Sequence, residues 1–101
     1  MGMDYCWSGS ASYPRFETEL MNVATVFGGQ KRIQRPQFIF PEDTNEVLVR
    51  WFNDIYGDFS VEETKIIWEL VSAHPEIEEI SWQIWNELKT CVEFEDGWYI
   101  Y

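Results

Sequence analysis

Glu78 and Glu79 precede Trp82 by four and three positions in a short, strongly acidic segment, and this grouping suggests a contact surface. A helix through residues 76–90 would align four apolar side chains on one narrow arc, namely those of Ile77, Ile80, Ile84 and Leu88. Trp82 would lie about 140° from the centre of that arc, beside the two glutamates, and Trp85 about 80° from it. We therefore expect Trp82 to be exposed and Trp85 to be mostly structural.

An exposed tryptophan beside carboxylates fits protein recognition. Interface hot spots favour Trp as a desolvated anchor, and carboxylates attract a basic partner and bond its arginines. Trp68, opposite the expected buried face of its helix, and Trp98, on the glutamate face of an expected hairpin, are further candidates for exposure. For each tryptophan the alternative is burial, since a small domain can cover both faces of a helix. The predicted partner-binding surface comprises Trp68, Trp82, Trp98, Glu62, Glu78 and Glu79.

Catalytic chemistry has little support in the sequence. His74 with Cys6 or Cys91 could form a nucleophile pair, but no local motif places these residues together. One histidine and two distant cysteines supply too few ligands for a metal site, and the glycines match no phosphate-binding loop. We expect no enzymatic activity, no metal and no cofactor. The cysteines are interpreted as reduced, largely buried thiols, with a Cys6–Cys91 disulfide as the alternative.

The net charge of −11 lies almost entirely in the second part of the chain. Residues 1–40 carry four basic and three acidic residues, a net of +1, whereas residues 41–101 carry three basic and 15 acidic residues, a net of −12. Such polarity disfavours direct binding of nucleic acid, whose phosphates would be repelled. It favours a partner protein with a basic surface.

Length and composition predict one folded domain over residues 1–101. Apolar residues make up 46% of the chain and aromatic residues 18%, which is far above the content of disordered chains. No run approaches the ~20 apolar residues of a membrane span, and no secretory signal opens the sequence. We therefore expect no membrane partner and a cytoplasmic location.

Four helices are predicted from apolar periodicity and terminal signals. Gly28 and Gly29 end the first helix, and Asp43 and Glu46 stand in capping-box register for the second. Ser60 and Glu63 form a capping box for the third, and Pro75 begins the fourth. The expected buried face of the first helix is Phe16, Leu20, Val23, Ala24 and Phe27. That of the second is Leu48, Trp51, Phe52 and Ile55, and that of the third is Ile66, Ile67, Leu70 and Val71.

A small antiparallel sheet completes the predicted α+β fold. Residues 4–8 predict an N-terminal strand, and residues 31–40 a central one that is at an edge or bulged because Pro36 cannot donate a ladder hydrogen bond. Alternation over residues 92–101 around Asp96-Gly97 predicts a C-terminal hairpin. In it Val92, Phe94, Tyr99 and Tyr101 would share one face. The sheet would pack against about four helices.

These features favour a small acidic protein-binding module. We expect an inhibitor or regulator that docks on a basic, possibly nucleic-acid-handling, partner, as DNA mimics, counter-defence proteins and immunity proteins do, because helical carboxylates can occupy positions where such a partner binds phosphates. The alternative is a non-catalytic structural or assembly subunit that forms a homo-oligomer through the aromatic hairpin or the strand near Pro36. A domain whose charges only solvate its surface remains a third interpretation.

Overall fold

The computed structural model describes residues 13–31, 37–55 and 57–99, and for residues 13–16 it describes the backbone only. Within these residues the fold is α+β, as predicted, with five helices and a two-stranded antiparallel sheet. The elements in chain order are α1 (Tyr13–Val26), β1 (Gln30–Lys31), β2 (Phe38–Ile39), α2 (Glu46–Asn53), α3 (Val61–Ser72), α4 (Glu76–Ile80) and α5 (Trp82–Glu93).

The glycine stop predicted after the first helix is confirmed. Gly28 adopts a left-handed conformation with φ 79°, which costs glycine no steric clash. Its N–H donates to the carbonyl of Thr25 at 2.9 Å, and the N–H of Gly29 donates to that of Ala24 at 2.9 Å. This pair of bonds is a Schellman motif, and it satisfies two carbonyls that the end of α1 would otherwise leave open.

The sheet is smaller than the predicted three-part arrangement. β1 pairs with β2 in antiparallel register, with Gln30 opposite Ile39 and Lys31 opposite Phe38. The predicted central strand is thus two short strands, and residues 32–36 between them lie outside the described residues. The predicted N-terminal strand at residues 4–8 also lies outside them.

Helix α2 buries the predicted apolar stripe but starts at a different cap. Asn45 is the N-cap, and its side-chain oxygen accepts from the backbone N–H of Val47 at 2.8 Å. The Asp43–Glu46 capping box is therefore wrong, because the N-cap lies two residues after Asp43, at Asn45, and the helix begins at Glu46. The stripe of Leu48, Trp51, Phe52 and Ile55 is buried, as expected from its spacing.

Helix α3 has the predicted capping box and a partly different core face. Ser60 accepts from the backbone N–H of Glu63 at 3.1 Å, and the Glu63 carboxylate accepts from the backbone N–H of Ser60 at 3.0 Å. Thr64, Ile67 and Val71 are its buried residues, whereas Ile66 is exposed. The expected face was wrong at Ile66, because the helix turns Thr64 inward.

One predicted helix over residues 76–90 is in fact two. Ser81 has extended backbone angles, φ −148° and ψ 92°, so it ends α4 and begins α5. Its side-chain oxygen accepts from the backbone N–H of Ile84 at 3.3 Å. A serine side chain that bonds the backbone in this way competes with the backbone bonds of a continuous helix. The break leaves Ile77 on α4 and both Ile84 and Leu88 on α5 fully buried.

The predicted C-terminal hairpin does not form within residues 92–99. α5 continues to Glu93, and Glu95 follows in a left-handed conformation with φ 53°. The N–H of Asp96 then bonds the carbonyl of Cys91 at 2.8 Å, which again gives a Schellman-type end. The Asp96-Gly97 pair was misleading because Gly97 allows close packing: a Cβ at this position would clash with the carbonyl oxygen of Phe59.

The helices surround one hydrophobic core. α3 packs against α2 and α5, α4 packs against α1 and α5, and α2 packs against β2. The two largest fully buried side chains, Trp51 and Trp98, meet edge to face with ring centroids 5.1 Å apart. The longest helix of the described residues, α1, has 14 residues, so none of these helices is long and apolar enough to cross a bilayer.

Candidate functional site

Trp82 is exposed, with 61% of its surface accessible to solvent. It is the first residue of α5, immediately after the N-cap Ser81. On that helix Ile84 and Leu88 face the core, and a rotation of about 100° per residue places Trp82 on the opposite side from Ile84. The exposure predicted from the sequence is thus observed, although the helix begins only at Trp82.

Two exposed carboxylates lie next to this ring in the chain. Glu78 and Glu79 belong to α4, and neither forms an ion pair within the described part of the chain. Three residues of chain span at most about 11 Å, so Glu79 and Trp82 can contact the same segment of a partner. We refer to Glu78, Glu79 and Trp82 as the Trp82 surface.

Trp68 is half-buried and packs on another tryptophan. Its ring meets that of Trp85 edge to face, with centroids 4.9 Å apart and planes at 70°. Trp85 follows Trp82 by three residues on α5. The expectation that Trp68 projects freely into solvent was wrong, because its ring packs on Trp85 and against the core.

Trp98 was wrongly predicted to be exposed, and it is fully buried. Its indole N–H donates to the carbonyl of Ile55 at 2.9 Å, and its backbone N–H donates to the hydroxyl of Thr64 at 2.9 Å. Its carbonyl in turn accepts from the backbone N–H of Phe59 at 2.9 Å. These bonds tie the C-terminal segment to the end of α2 and the start of α3, so Trp98 is structural.

Glu62 is exposed but lies away from Trp82. It belongs to the first turn of α3, and the nearby Lys65 pairs with Glu95 just beyond the C-terminal end of α5, with Nζ and Oε1 3.7 Å apart. The N-terminal end of α3 therefore adjoins the C-terminal end of α5. Since α5 has 12 residues, about 18 Å of helix separates that end from Trp82.

Sequence reasoning missed a second exposed aromatic ring. Phe94 is 63% exposed at the C-terminal end of α5, whereas the predicted hairpin placed it on a shared face with Val92 and Tyr99. By helical spacing Phe94 lies only about 60° from the buried Cys91, so no local pattern marked its ring as exposed.

An arginine of the chain itself is held between an aromatic ring and a carboxylate, which was not predicted from the sequence. The guanidinium of Arg50 lies over the ring of Phe59, 4.8 Å from its centroid, and donates to the carboxylate of Glu63. The Ser60 backbone N–H and this guanidinium lower the pKa of Glu63 from its ordinary value. A ring and a carboxylate thus hold one arginine at the surface of α2 and α3.

The candidate catalytic groups lack an activating environment in the described residues. Burial, reinforced by the carboxylates of Glu87 and Asp96, raises the pKa of the free Cys91 thiol to about 11. A reactive cysteine needs the opposite shift. His74 packs edge to face on Phe27, with centroids 5.0 Å apart, and its Nδ1 lies 3.6 Å from a carboxylate oxygen of Glu76. Cys6 lies outside the residues described.

Metal chemistry has no candidate site in residues 13–31, 37–55 and 57–99, where no group of three or more His, Cys, Asp or Glu residues could hold an ion. Comparisons of the chain with protein-family models, with curated proteins and with solved structures each found no match.

Proposed function

We propose that this chain is a small acidic protein-binding module that docks on a basic surface of a partner protein through the Trp82 surface. The observation that carries the proposal is the 61% exposure of Trp82 beside two carboxylates that have no ion pair in the described residues. Leaving a large indole ring in water costs free energy that burial in a complex would recover, at roughly 25 cal/mol per Å² of apolar area.

Charge supports a basic partner. Residues 41–101, which hold the whole surface, carry a net charge of −12. Such a field accelerates association with a positively charged partner and disfavours acidic ones. An exposed tryptophan without charged neighbours would fit a neutral partner as well as a basic one. The carboxylates of Glu78 and Glu79 are therefore the groups that indicate a basic partner surface.

A role as an inhibitor or regulator of a nucleic-acid-handling protein follows from the same charge. Proteins that bind nucleic acid present Lys and Arg to phosphates, and the carboxylates of Glu78 and Glu79 would bind those side chains instead. The chain would then compete with nucleic acid for one site on the partner. No catalytic step by this chain is needed for such inhibition.

The test is a capture experiment with paired variants. The native chain is immobilised, and a protein retained from a host lysate is quantified against Trp82→Ala and against the double change Glu78→Lys and Glu79→Lys. Phe94→Ala is the matched control, because it removes an equally exposed ring about 18 Å along α5. Circular dichroism confirms that each variant is folded.

Both Trp82→Ala and the charge reversal should weaken capture of one basic protein at least tenfold, and Phe94→Ala should not. Duplex DNA should release the retained protein if the two compete for one site. Loss of binding with Phe94→Ala alone would move the docking surface to the other end of α5. Equal capture by all variants would refute the proposal.

The alternative of an assembly subunit has lost one of its two predicted surfaces, because the aromatic hairpin does not form in residues 92–99. Of the other, the strand near Pro36, the structure describes β1 and β2, whereas Pro36 itself lies outside the described residues. A mass measured by light scattering that rises with protein concentration would favour this alternative over a monomeric module.

A further inference from the structure

We infer that the Trp82 surface selects arginine over lysine as the residue of its partner that contacts the indole ring. This inference rests on the proposed function and makes it more specific. It predicts the chemistry of the central contact, whereas a general acidic surface would attract lysine and arginine equally.

This chain already holds one arginine between an aromatic ring and a carboxylate. Arg50 is held by two groups together, the ring of Phe59, 4.8 Å from the guanidinium, and the carboxylate of Glu63. Half of the Arg50 side chain is still exposed, so a ring and a carboxylate suffice to order a guanidinium at this protein's surface. No deep pocket is required.

The Trp82 surface offers the same two kinds of group, with no cation paired to its carboxylates in the part of the chain that the structure describes. Trp82 supplies the ring, and Glu78 and Glu79 supply carboxylates that have no ion pair among the residues described. Within the described residues this surface lacks a cation, and a partner would supply it.

Arginine and lysine differ in how they bind a ring and a carboxylate together. A guanidinium is planar and weakly hydrated, so it can stack on the face of an indole ring. Its N–H groups then point outward in the plane of the guanidinium and still donate to carboxylates. An ammonium is a compact, strongly hydrated charge and loses more hydration on the same ring. Indole is also the strongest of the aromatic partners for such a cation.

The test uses two short Gly/Ser-based peptides of equal length and charge, one with arginines and one with lysines at the same positions. Their affinities for the intact chain are measured by calorimetry at low salt. The arginine peptide should bind roughly three- to fivefold more tightly, the factor expected for a cation–π contact at an exposed site. Trp82→Leu should abolish that preference, whereas Phe94→Leu should retain it.

Nuclear magnetic resonance provides a site-specific readout. The signal of the Trp82 indole N–H is the one that disappears from the spectrum of Trp82→Leu. It should shift on addition of the arginine peptide and much less with the lysine peptide. Glu78→Gln with Glu79→Gln should weaken both peptides, because it removes charge and leaves the ring in place.

Equal affinity for the two peptides, or an arginine preference that survives Trp82→Leu, would overturn the inference. Failure to bind either peptide at low salt would also overturn it. The proposed function is judged separately, by the effect of Trp82→Ala and of the charge reversal on capture of the native partner. A partner that is lost with those variants, combined with equal peptide affinities, would leave the proposed function standing without arginine selectivity.

Discussion

The side-chain amide of Asn53 bonds both backbone groups of Phe38, fifteen residues earlier in the chain. Its Oδ1 accepts from the Phe38 N–H at 2.6 Å, and its Nδ2 donates to the Phe38 carbonyl at 3.1 Å. The amide thus takes the place of a neighbouring strand for one residue of β2. It joins the last residue of α2 to the sheet and covers one side of β2 at Phe38.

Asn53→Asp should destabilise the protein by about 1–2 kcal/mol. The aspartate has nearly the same shape and still accepts from the Phe38 N–H, but it places a carboxylate oxygen against the Phe38 carbonyl, which then has no donor. Urea denaturation measures the change. Asn22→Asp is the control, because Asn22 is an exposed residue of α1, and a change there should stay within about 0.5 kcal/mol. Equal effects at both sites would contradict the role of Asn53.

Trp98→Phe should lower the free energy of unfolding by about 2–4 kcal/mol, because it leaves the Ile55 carbonyl without its indole donor and opens a gap beside Trp51. The same substitution at the exposed Trp82 should change stability by less than about 0.5 kcal/mol. Thermal unfolding of both variants makes the comparison. Similar losses at the two positions would contradict the assignment of Trp98 to the core and of Trp82 to the surface.

Glu95→Gly should stabilise the protein by about 0.5–1 kcal/mol. Glu95 holds a left-handed backbone, φ 53°, which a side chain disfavours and glycine accepts. The lost pair with Lys65 is solvent-exposed and contributes little. Glu95→Ala is the matched control: it loses the same pair but keeps the strain, so it should not stabilise. A melting temperature that rises equally for both would place the gain elsewhere.

Cys91 should make stability fall as the pH rises above 9. The native thiol has a pKa raised from 9.0 to about 11, so between these values the unfolded chain releases the proton and the folded chain keeps it. Unfolding is then favoured by up to ~1.4 kcal/mol per pH unit in that window, and the contribution is fully present below it.

Cys91→Ala lacks this group and isolates its effect from that of the other residues that titrate in the same range. The difference in unfolding free energy between the native chain and this variant is measured from pH 8 to pH 11. It should narrow as the pH rises. A difference that stays constant would show that Cys91 ionises alike in both states.

Several features of the fold could be predicted from local sequence, because local interactions produce them. The Ser60–Glu63 capping box depends on two residues three positions apart, and the end of α1 depends on the conformational freedom of Gly28. The exposure of Trp82 follows from its angle to Ile84 and Leu88, which a single helix determines. The charge of the surface is a property of composition alone.

The predictions that failed concern contacts between distant parts of the chain. Asp96-Gly97 has the local pattern of a hairpin, yet Gly97 is needed where the backbone approaches Phe59. Trp98 is buried because Ile55, forty-three residues earlier, presents a carbonyl to its indole. No periodicity near Trp98 encodes that distance. The same packing turns Thr64 inward and leaves Ile66 exposed on α3.

The sequence by itself determined an acidic, aromatic-rich α+β domain with an exposed Trp82 beside Glu78 and Glu79, since residue type and helical angle act over a few positions. Only the tertiary structure decided which other tryptophans accompany it. Trp98 enters the core through hydrogen bonds to α3 and to the end of α2, whereas Trp68 reaches Trp85 because α3 and α5 pack side by side. Burial of a large ring depends on what the rest of the chain places around it.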